Sequence, residues 1–184
     1  LSERLDNVRD WLLISCFTAQ RISDFSRFGK DMIIEIKDQK LIAFKQKKGQ
    51  KEIVIPLLPE VQEVLNKRGG EFPRKISDQR FNEYVKELCK IIGFTEEIKG
   101  SVIKNIGDDK DKKYRKVKGT YPKYMLVSSH IGRRSFATNF YGKIPTPLLM
   151  SATGHTTEKQ FLEYIKIAEV DSALELAKLY LELK

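Results

Sequence analysis

The chain is poor in the residues that hold metals and crosslinks: its 184 residues include two cysteines and two histidines. Neither a C-x-x-C nor an H-x-x-x-H spacing occurs. A metal site built on His130 and His155 would need carboxylates that no motif supplies, so chemistry without metal or cofactor is expected. Cys16 in "WLLISCF" and Cys89 in "YVKELCKII" lie in apolar helical contexts, which suits buried reduced thiols rather than a disulfide. No apolar run approaches the ~18 residues of a transmembrane helix. The N-terminus carries no signal-peptide pattern, and a soluble, intracellular protein is expected. Internal repeats and low-complexity tracts are missing too. Acid is the last shortage: 25 Asp and Glu face 34 Lys and Arg, a formal charge of +9. A basic globular chain meets nucleic acid or an anionic membrane, and without membrane signals nucleic acid is favoured.

What is present reads as one domain, large enough to bury about 70% of its unfolded surface. "LDNVRDWLLISCF" sets Leu5, Val8, Leu12 and Ser15 on one helical stripe with Trp11 beside it, and this helix should end near Thr18 and Ala19. A short helix in "RISDFSRFG", closed by Gly29, precedes three extended runs, "DMIIEIK", "KLIAFKQ" and "EIVIPL", which predict a small antiparallel sheet. Pro59 opens the next helix and Gly69-Gly70 ends it; Ser77 caps a longer one with a stripe of Phe81, Tyr84, Val85, Leu88 and Ile92. Residues 95–125, charged and weakly periodic, read as a long loop or irregular hairpin: a solvated excursion first, a phosphate-contacting arm second. From Ser128 onward the chain is helical in short pieces broken by Gly142, Pro145, Pro147 and Gly154. The last segment carries Val170, Leu174, Ala177 and Leu181 on one stripe with Leu176, Leu179 and Leu183 left over, a surface for docking onto its own domain or a neighbour.

The stretch "SSHIGRRSFATNFYG" places His130 and Arg133 on one face of a helix's first turn, behind the capping residue types Ser128 and Ser129. Free backbone N–H groups there already favour an anion, and the local chemistry suits a phosphate. Four more polar residues have no reason to be there from core formation: Arg21 in "TAQRISDF", Lys48 in the "KKGQ" turn, His155 in "TGHTTEK" and Tyr164 in "FLEYIK". Singly each has an ordinary reading, as a surface arginine, a hairpin lysine, a histidine satisfied by its own turn, or a half-buried tyrosine.

Together, in this order, they resemble the tyrosine recombinase (phage integrase) family. A pattern like T-G-L-R-x-S-[ED]-L is matched by Thr18, Arg21, Ser23 and Asp24; a turn lysine before V-x-I-P-L by Lys48, eight residues before Pro56; H-x-x-R by His130 and Arg133; G-H by Gly154 and His155. The nucleophile is matched by Tyr164, nine residues after His155. The match runs from about residue 4 to residue 166, and the fuller wording "SSHxxRRSFATN" and "TGHxTEKxFLxYIK" is similar to integrases of conjugative elements and phages in Bacteroides-type bacteria. Ala19 and Gln20 depart from the usual glycine and leucine, and Gly49 from the usual threonine; Lys47 competes with Lys48 for the lysine's place.

The resemblance implies an α+β, mainly α catalytic domain over residues 1–184 with a small three-stranded antiparallel sheet, a helix within 166–184 docking in trans, and a core-binding domain lying outside this chain. It implies a site-specific DNA recombinase: Tyr164 attacks phosphorus to form a 3′-phosphotyrosine, Arg21 and Arg133 hold the non-bridging oxygens, Lys48 protonates the leaving 5′-oxygen, and His155 adds a hydrogen bond. His130 serves as base or steadies the phosphate. Asp24 holds Arg21 or is a solvated capping carboxylate, and Arg134 holds the fold or contacts backbone. Implied partners are double-stranded DNA, a tetramer on DNA, and accessory bending or directionality factors, in the bacterial cytoplasm at the nucleoid. The rivals are a type IB topoisomerase and a noncatalytic DNA-binding module of the same fold.

Overall fold

Helix α1 (Glu3–Thr18) carries the core on one face: Leu5, Val8, Trp11 and Ile14 are buried. In a computed structural model, which describes residues 1–108, 111–166 and 169–182, α1 is the axle on which four of the later helices pack directly. It ends at Ala19, which takes a left-handed conformation (φ 59°, ψ 16°) where glycine would fit at no steric cost. The tight turn forms with alanine there all the same, and it delivers the chain to α2 (Ile22–Phe25) with Arg21 as N-cap. This helix stops at Ser26; Gly29 instead starts a 3₁₀ turn at Lys30–Met32.

Strands β1 (Ile33–Ile36), β2 (Gln39–Lys45) and β3 (Glu52–Pro56) form the expected antiparallel meander, with Phe44 opposite Ile53 and Ile42 opposite Ile55. In β2 and β3 buried residues alternate with more exposed ones, as one sheet face packed on a core requires. Helices α3 (Pro59–Lys67) and α4 (Asp78–Ile91) follow, the second capped by the Ser77 hydroxyl accepting from the Arg80 amide. Trp11, Phe25 and Phe81 stack through the main core, at 5.7 Å between the first two rings and 5.5 Å, edge-on, between the last two. Asp10, buried in α1, accepts from Lys67 (2.8 Å) and Arg68 (2.7 Å), which ties α3 to the axle.

Residues 95–125 hold a hairpin, one of the two forms expected, but a regular one. Strands β4 (Glu97–Asn105) and β5 (Tyr114–Pro122) pair in unbroken antiparallel register from Glu97↔Pro122 to Asn105↔Tyr114. The period of two was hidden because lysines occupy the outer face, while Val102, Val117 and Tyr121 follow it on the inner one. Helix α5 (Lys123–Leu126) packs against this ribbon: a Cβ at Gly100 would come within 2.6 Å of the Leu126 side chain.

A second, smaller core of Ala19, Phe136, Ala137, Leu149, Phe161 and Ile165 is built by α6 (His130–Phe140), α7 (Thr146–Thr153) and α8 (Glu158–Ile165). Helix α6 meets α1 so closely that a Cβ on Gly132 would lie 2.9 Å from the Ser15 carbonyl carbon. Burying Phe161 is worth roughly 2–3 kcal/mol, and this cluster fixes α8 beside α6. Helix α9 (Glu169–Glu182) exposes Leu174, Leu176, Leu179 and Leu181, so these leucines are not seated on the chain's own core. Leu183 lies outside the described residues.

Candidate active site

Helix α6 begins at His130, as the sequence suggests, but neither serine caps it through its side chain. The Ser129 amide donates instead to Asn82 Oδ1 of α4 at 2.8 Å, so the α6 N-terminus is pinned by tertiary contact. Three residues on, Arg133 is 2% exposed. Its guanidinium donates to the Ala19 carbonyl (2.9 Å) at the end of α1 and to the Thr153 carbonyl at the end of α7. Arg133 thus bridges the two turns that lead to Arg21 and His155. Burial and the neighbouring Arg21 charge bring its pKa down to about 10, still well above neutrality.

Gly154 closes α7 in a left-handed conformation (φ 67°), which sends His155 back across the helix end. The His155 ring lies 5.0 Å from the Tyr164 ring, centroid to centroid, and its Nδ1 is 2.8 Å from Thr153 Oγ1. That hydroxyl has one proton and is 2.7 Å from the Leu149 carbonyl, so it accepts from Nδ1–H, and Nε2 is left bare. Burial, Arg133 and Arg21 depress the His155 pKa to about 4. His130, at the exposed rim, is also pushed below its ordinary value, by partial desolvation first and then by Arg133, Arg21 and Arg134.

Tyr164 sits near the C-terminal end of α8 with its hydroxyl enclosed and without a hydrogen bond of good geometry. The Arg133 guanidinium lies 5.9 Å from the ring centroid and that of Arg134 5.3 Å. Burial raises the phenol pKa, and the pull of Arg133, Arg134 and Arg21 offsets only part of that rise. Arg134 also donates to the Tyr164 carbonyl at 3.0 Å. The arginine next to Arg133 therefore holds α8 from above. Sequence reasoning left its role divided between fold and backbone contact; the signal was the RR pair itself, with successive helical residues about 100° apart and able to flank one ring.

Arg21 lies within electrostatic reach of His130, Arg133, His155 and Tyr164, and forms no salt bridge among the described residues. Asp24 does not bond to it. Its carboxylate, fully buried, accepts from the Lys47 amide at 2.7 Å and from Arg27 at 3.3 Å. The reason is direction: Arg21 is the N-cap, outside the helical turn that would bring the two side chains together, whereas Arg27 follows Asp24 by one turn. Gln20, missed in the sequence, is buried too and donates to the Thr18 (2.7 Å) and Ala152 (2.8 Å) carbonyls. Lys48 stands exposed at the tip of the β2–β3 turn and makes no hydrogen bond or ion pair among the described residues. The root of that turn is fixed through Lys47 to Asp24; the lysine itself is not brought into the cluster. A cleft of about 520 Å³ opens beside the cluster, lined by His130, Arg134, Tyr164, Ile98 and Lys123 among others.

Arg21, His130, Arg133, His155 and Tyr164 thus share one neighbourhood although they come from four separate stretches of chain. A phenol, two imidazoles held neutral and fixed guanidiniums can bind an anion and deliver a nucleophile to it.

No protein-family model matches the sequence, and no curated protein does. Solved structures do match in fold. XerH site-specific recombinase bound to palindromic difH substrate, in a post-cleavage complex, aligns with TM-score 0.61 and 15% identity over 98% of this chain and 50% of that one. XerA recombinase aligns with TM-score 0.58 and 12% identity over 97% of this chain and 63% of that one. The Tn1549 transposon integrase, residues 82–397 with circular intermediate DNA, aligns with TM-score 0.51 and 15% identity over 93% of this chain and 57% of that one. The chain has the α+β fold of tyrosine recombinase catalytic domains, and it spans half to two thirds of the length of these proteins.

Proposed function

We propose that this chain is the catalytic domain of a site-specific DNA recombinase of the integrase type, which cuts and rejoins double-stranded DNA through a 3′-phosphotyrosine on Tyr164. The observation that carries the reading is the gathering of three guanidiniums, from Arg21, Arg133 and Arg134, around one enclosed phenol whose hydroxyl has no hydrogen bond of good geometry. A buried polar group without a partner costs about 1–3 kcal/mol, and such groups recur where a substrate supplies what is missing.

Phosphoryl transfer gathers charge on the non-bridging oxygens, and fixed donors in a shielded site stabilise that charge more than the ground state. Arg21 and the free face of Arg133 take this role; guanidinium suits it because its fork is planar and its charge persists at any working pH. His130, held neutral, accepts the phenolic proton. The phosphate's own charge raises the His155 pKa on binding, so that Nε2 gains a proton and donates to a phosphate oxygen. Lys48 reaches the leaving 5′-oxygen by movement of its turn and protonates it; Lys47, whose amide is bound to Asp24, is less free. Energy kept in the phosphotyrosine allows rejoining by the reverse attack without ATP. The exposed leucines of α9 dock onto a neighbouring protomer in a tetramer on DNA, within a larger protein that includes a core-binding domain. The wording of the two histidine boxes supports a mobile element of Bacteroides-type bacteria as its host.

The test is covalent capture: mixed-sequence duplexes with a nick just downstream of the cleavage position let the short product diffuse away and trap the adduct. A protein band shifted by a 3′-linked strand is expected, and none in the Tyr164→Phe variant. Rapid relaxation of supercoiled plasmid regardless of sequence would instead favour a type IB topoisomerase, and no adduct on any duplex would favour a binding module.

A further inference from the structure

The β4–β5 ribbon has one face with no partner among the described residues. Its two nine-residue strands pair so that Lys99 faces Thr120, Ser101 faces Lys118 and Ile103 faces Lys116 on the outer side. These six side chains are all exposed, whereas Val102 on the inner side is buried against the body. Neither Lys99, Lys116 nor Lys118 makes an ion pair among the described residues; of the acids near the ribbon's ends, Glu96 pairs with Lys123 and Asp111 with Lys113, while Glu97, on the outer face itself, and Asp108 form no ion pair among the described residues. Across the two strands five cations stand against the single acid Glu97. Lysines also keep exposed strand edges from pairing with other chains. That role explains neither the one-sided sign nor the hydroxyls of Ser101 and Thr120 set among the ammoniums.

Two features point to a partner. Side chains on one face of a strand recur every ~6.8 Å, comparable with the separation of neighbouring phosphates along a nucleic-acid strand, and a two-stranded ribbon fits the major groove of duplex DNA. The root of the ribbon also borders the candidate active site, since Ile98 on its inner face and Lys123 just past β5 line the same cleft as His130, Arg134 and Tyr164. A duplex bound with its phosphorus at Tyr164 passes this root.

We propose that the outer face of the β4–β5 ribbon is a second duplex-DNA contact, in which Lys99, Lys116 and Lys118, assisted by Ser101 and Thr120, track the phosphodiester backbone beside the cleavage site. The inference rests on the recombinase reading. Such a contact positions DNA and adds affinity without taking part in chemistry.

The experiment compares the unaltered chain with K99Q/K116Q/K118Q on a fluorescent mixed-sequence duplex across a salt series. Each lost phosphate contact lowers the magnitude of the slope of log K against log salt by about 0.9, so the triple variant should lose roughly 2–3 from the slope and at least about tenfold in affinity near ~0.1 M salt. Its adduct-forming rate at saturating duplex should stay within about threefold of the unaltered chain, because the face lies outside the reacting atoms. Acetylation footprinting of the unaltered chain supplies the independent arm: the three lysines should become protected when duplex is added. An unchanged slope and affinity, unprotected lysines, or stronger protection by an RNA hairpin than by duplex would each overturn the inference while the recombinase reading stands. Failure of the unaltered chain to bind duplex or form an adduct would overturn that reading, and this inference with it.

Discussion

Arg133→Lys separates the structural and chemical work of one side chain. Arginine has five N–H donors in a fixed fork, two of which are spent on the Ala19 and Thr153 carbonyls. The guanidinium carbon lies 5.9 Å from the Tyr164 ring centroid, which leaves the remaining donors close to the phenol. Lysine keeps the charge but concentrates its donors on one atom, and it cannot reach two carbonyls on separate turns and an anion together. Leaving a buried carbonyl without a charged donor costs about 1.5–3 kcal/mol, which for a chain of this size lowers Tm by roughly 3–12 °C. At the barrier, losing one preorganised donor costs about 2.7–4 kcal/mol, a fall of roughly 100-fold to 1000-fold in rate. Single-turnover adduct formation on a nicked duplex, at a temperature where circular dichroism shows both proteins folded, measures the second effect apart from the first. A variant that melts early but cleaves within about fivefold of the unaltered chain would show that Arg133 only ties the turns together, and the reasoning would fail.

Other substitutions sharpen the account. Tyr164→Phe should abolish the adduct yet leave Tm unchanged or slightly higher, because the hydroxyl it removes is enclosed without a hydrogen bond of good geometry; a clear loss of Tm would count against that geometry. Arg134→Gln removes the hold on the Tyr164 carbonyl and the cation over its ring, and should slow adduct formation by roughly tenfold to a hundredfold with duplex affinity little changed, since a misplaced nucleophile costs rate first. Gly132→Ala forces α6 away from Ser15 and should destabilise by about 1–3 kcal/mol, read as a lower urea midpoint. His155, ordinarily near 6.5, is depressed to about 4 in the fold, so the unfolded chain binds its proton first. Stability contributed by this group is complete above pH 6.5 and is lost as pH falls toward 4; His155→Gln should flatten that part of the urea-midpoint profile.

The residues gathered beside Tyr164 were singled out in the sequence through the family resemblance, whose motifs hold them at short local spacings. Arg21 as the N-cap of a short helix, His130 and Arg133 within one turn, and His155 behind a left-handed Gly154 are each local arrangements. The three-stranded sheet was legible for the same reason, through alternation bounded by turns. What failed depended on tertiary direction. Asp24 was read as holding Arg21 or as a solvated capping carboxylate, but it is buried and accepts from the Lys47 amide. The β4–β5 ribbon was taken for a loop or irregular hairpin because lysines on its outer face obscured the pattern of the inner one. Gln20 looked like a substitution at an apolar position; its amide instead ties the carbonyls of Thr18 and Ala152, which no local pattern announces.

The central claim is that Tyr164 Oη becomes bonded to DNA phosphorus. Trapping the product on a nicked duplex, digesting it and mapping the nucleotide-bearing peptide by mass spectrometry tests this directly. A phosphodiester on the peptide that contains "FLEYIK" is the predicted result; an adduct on any other residue, or one that persists in Tyr164→Phe, would contradict it.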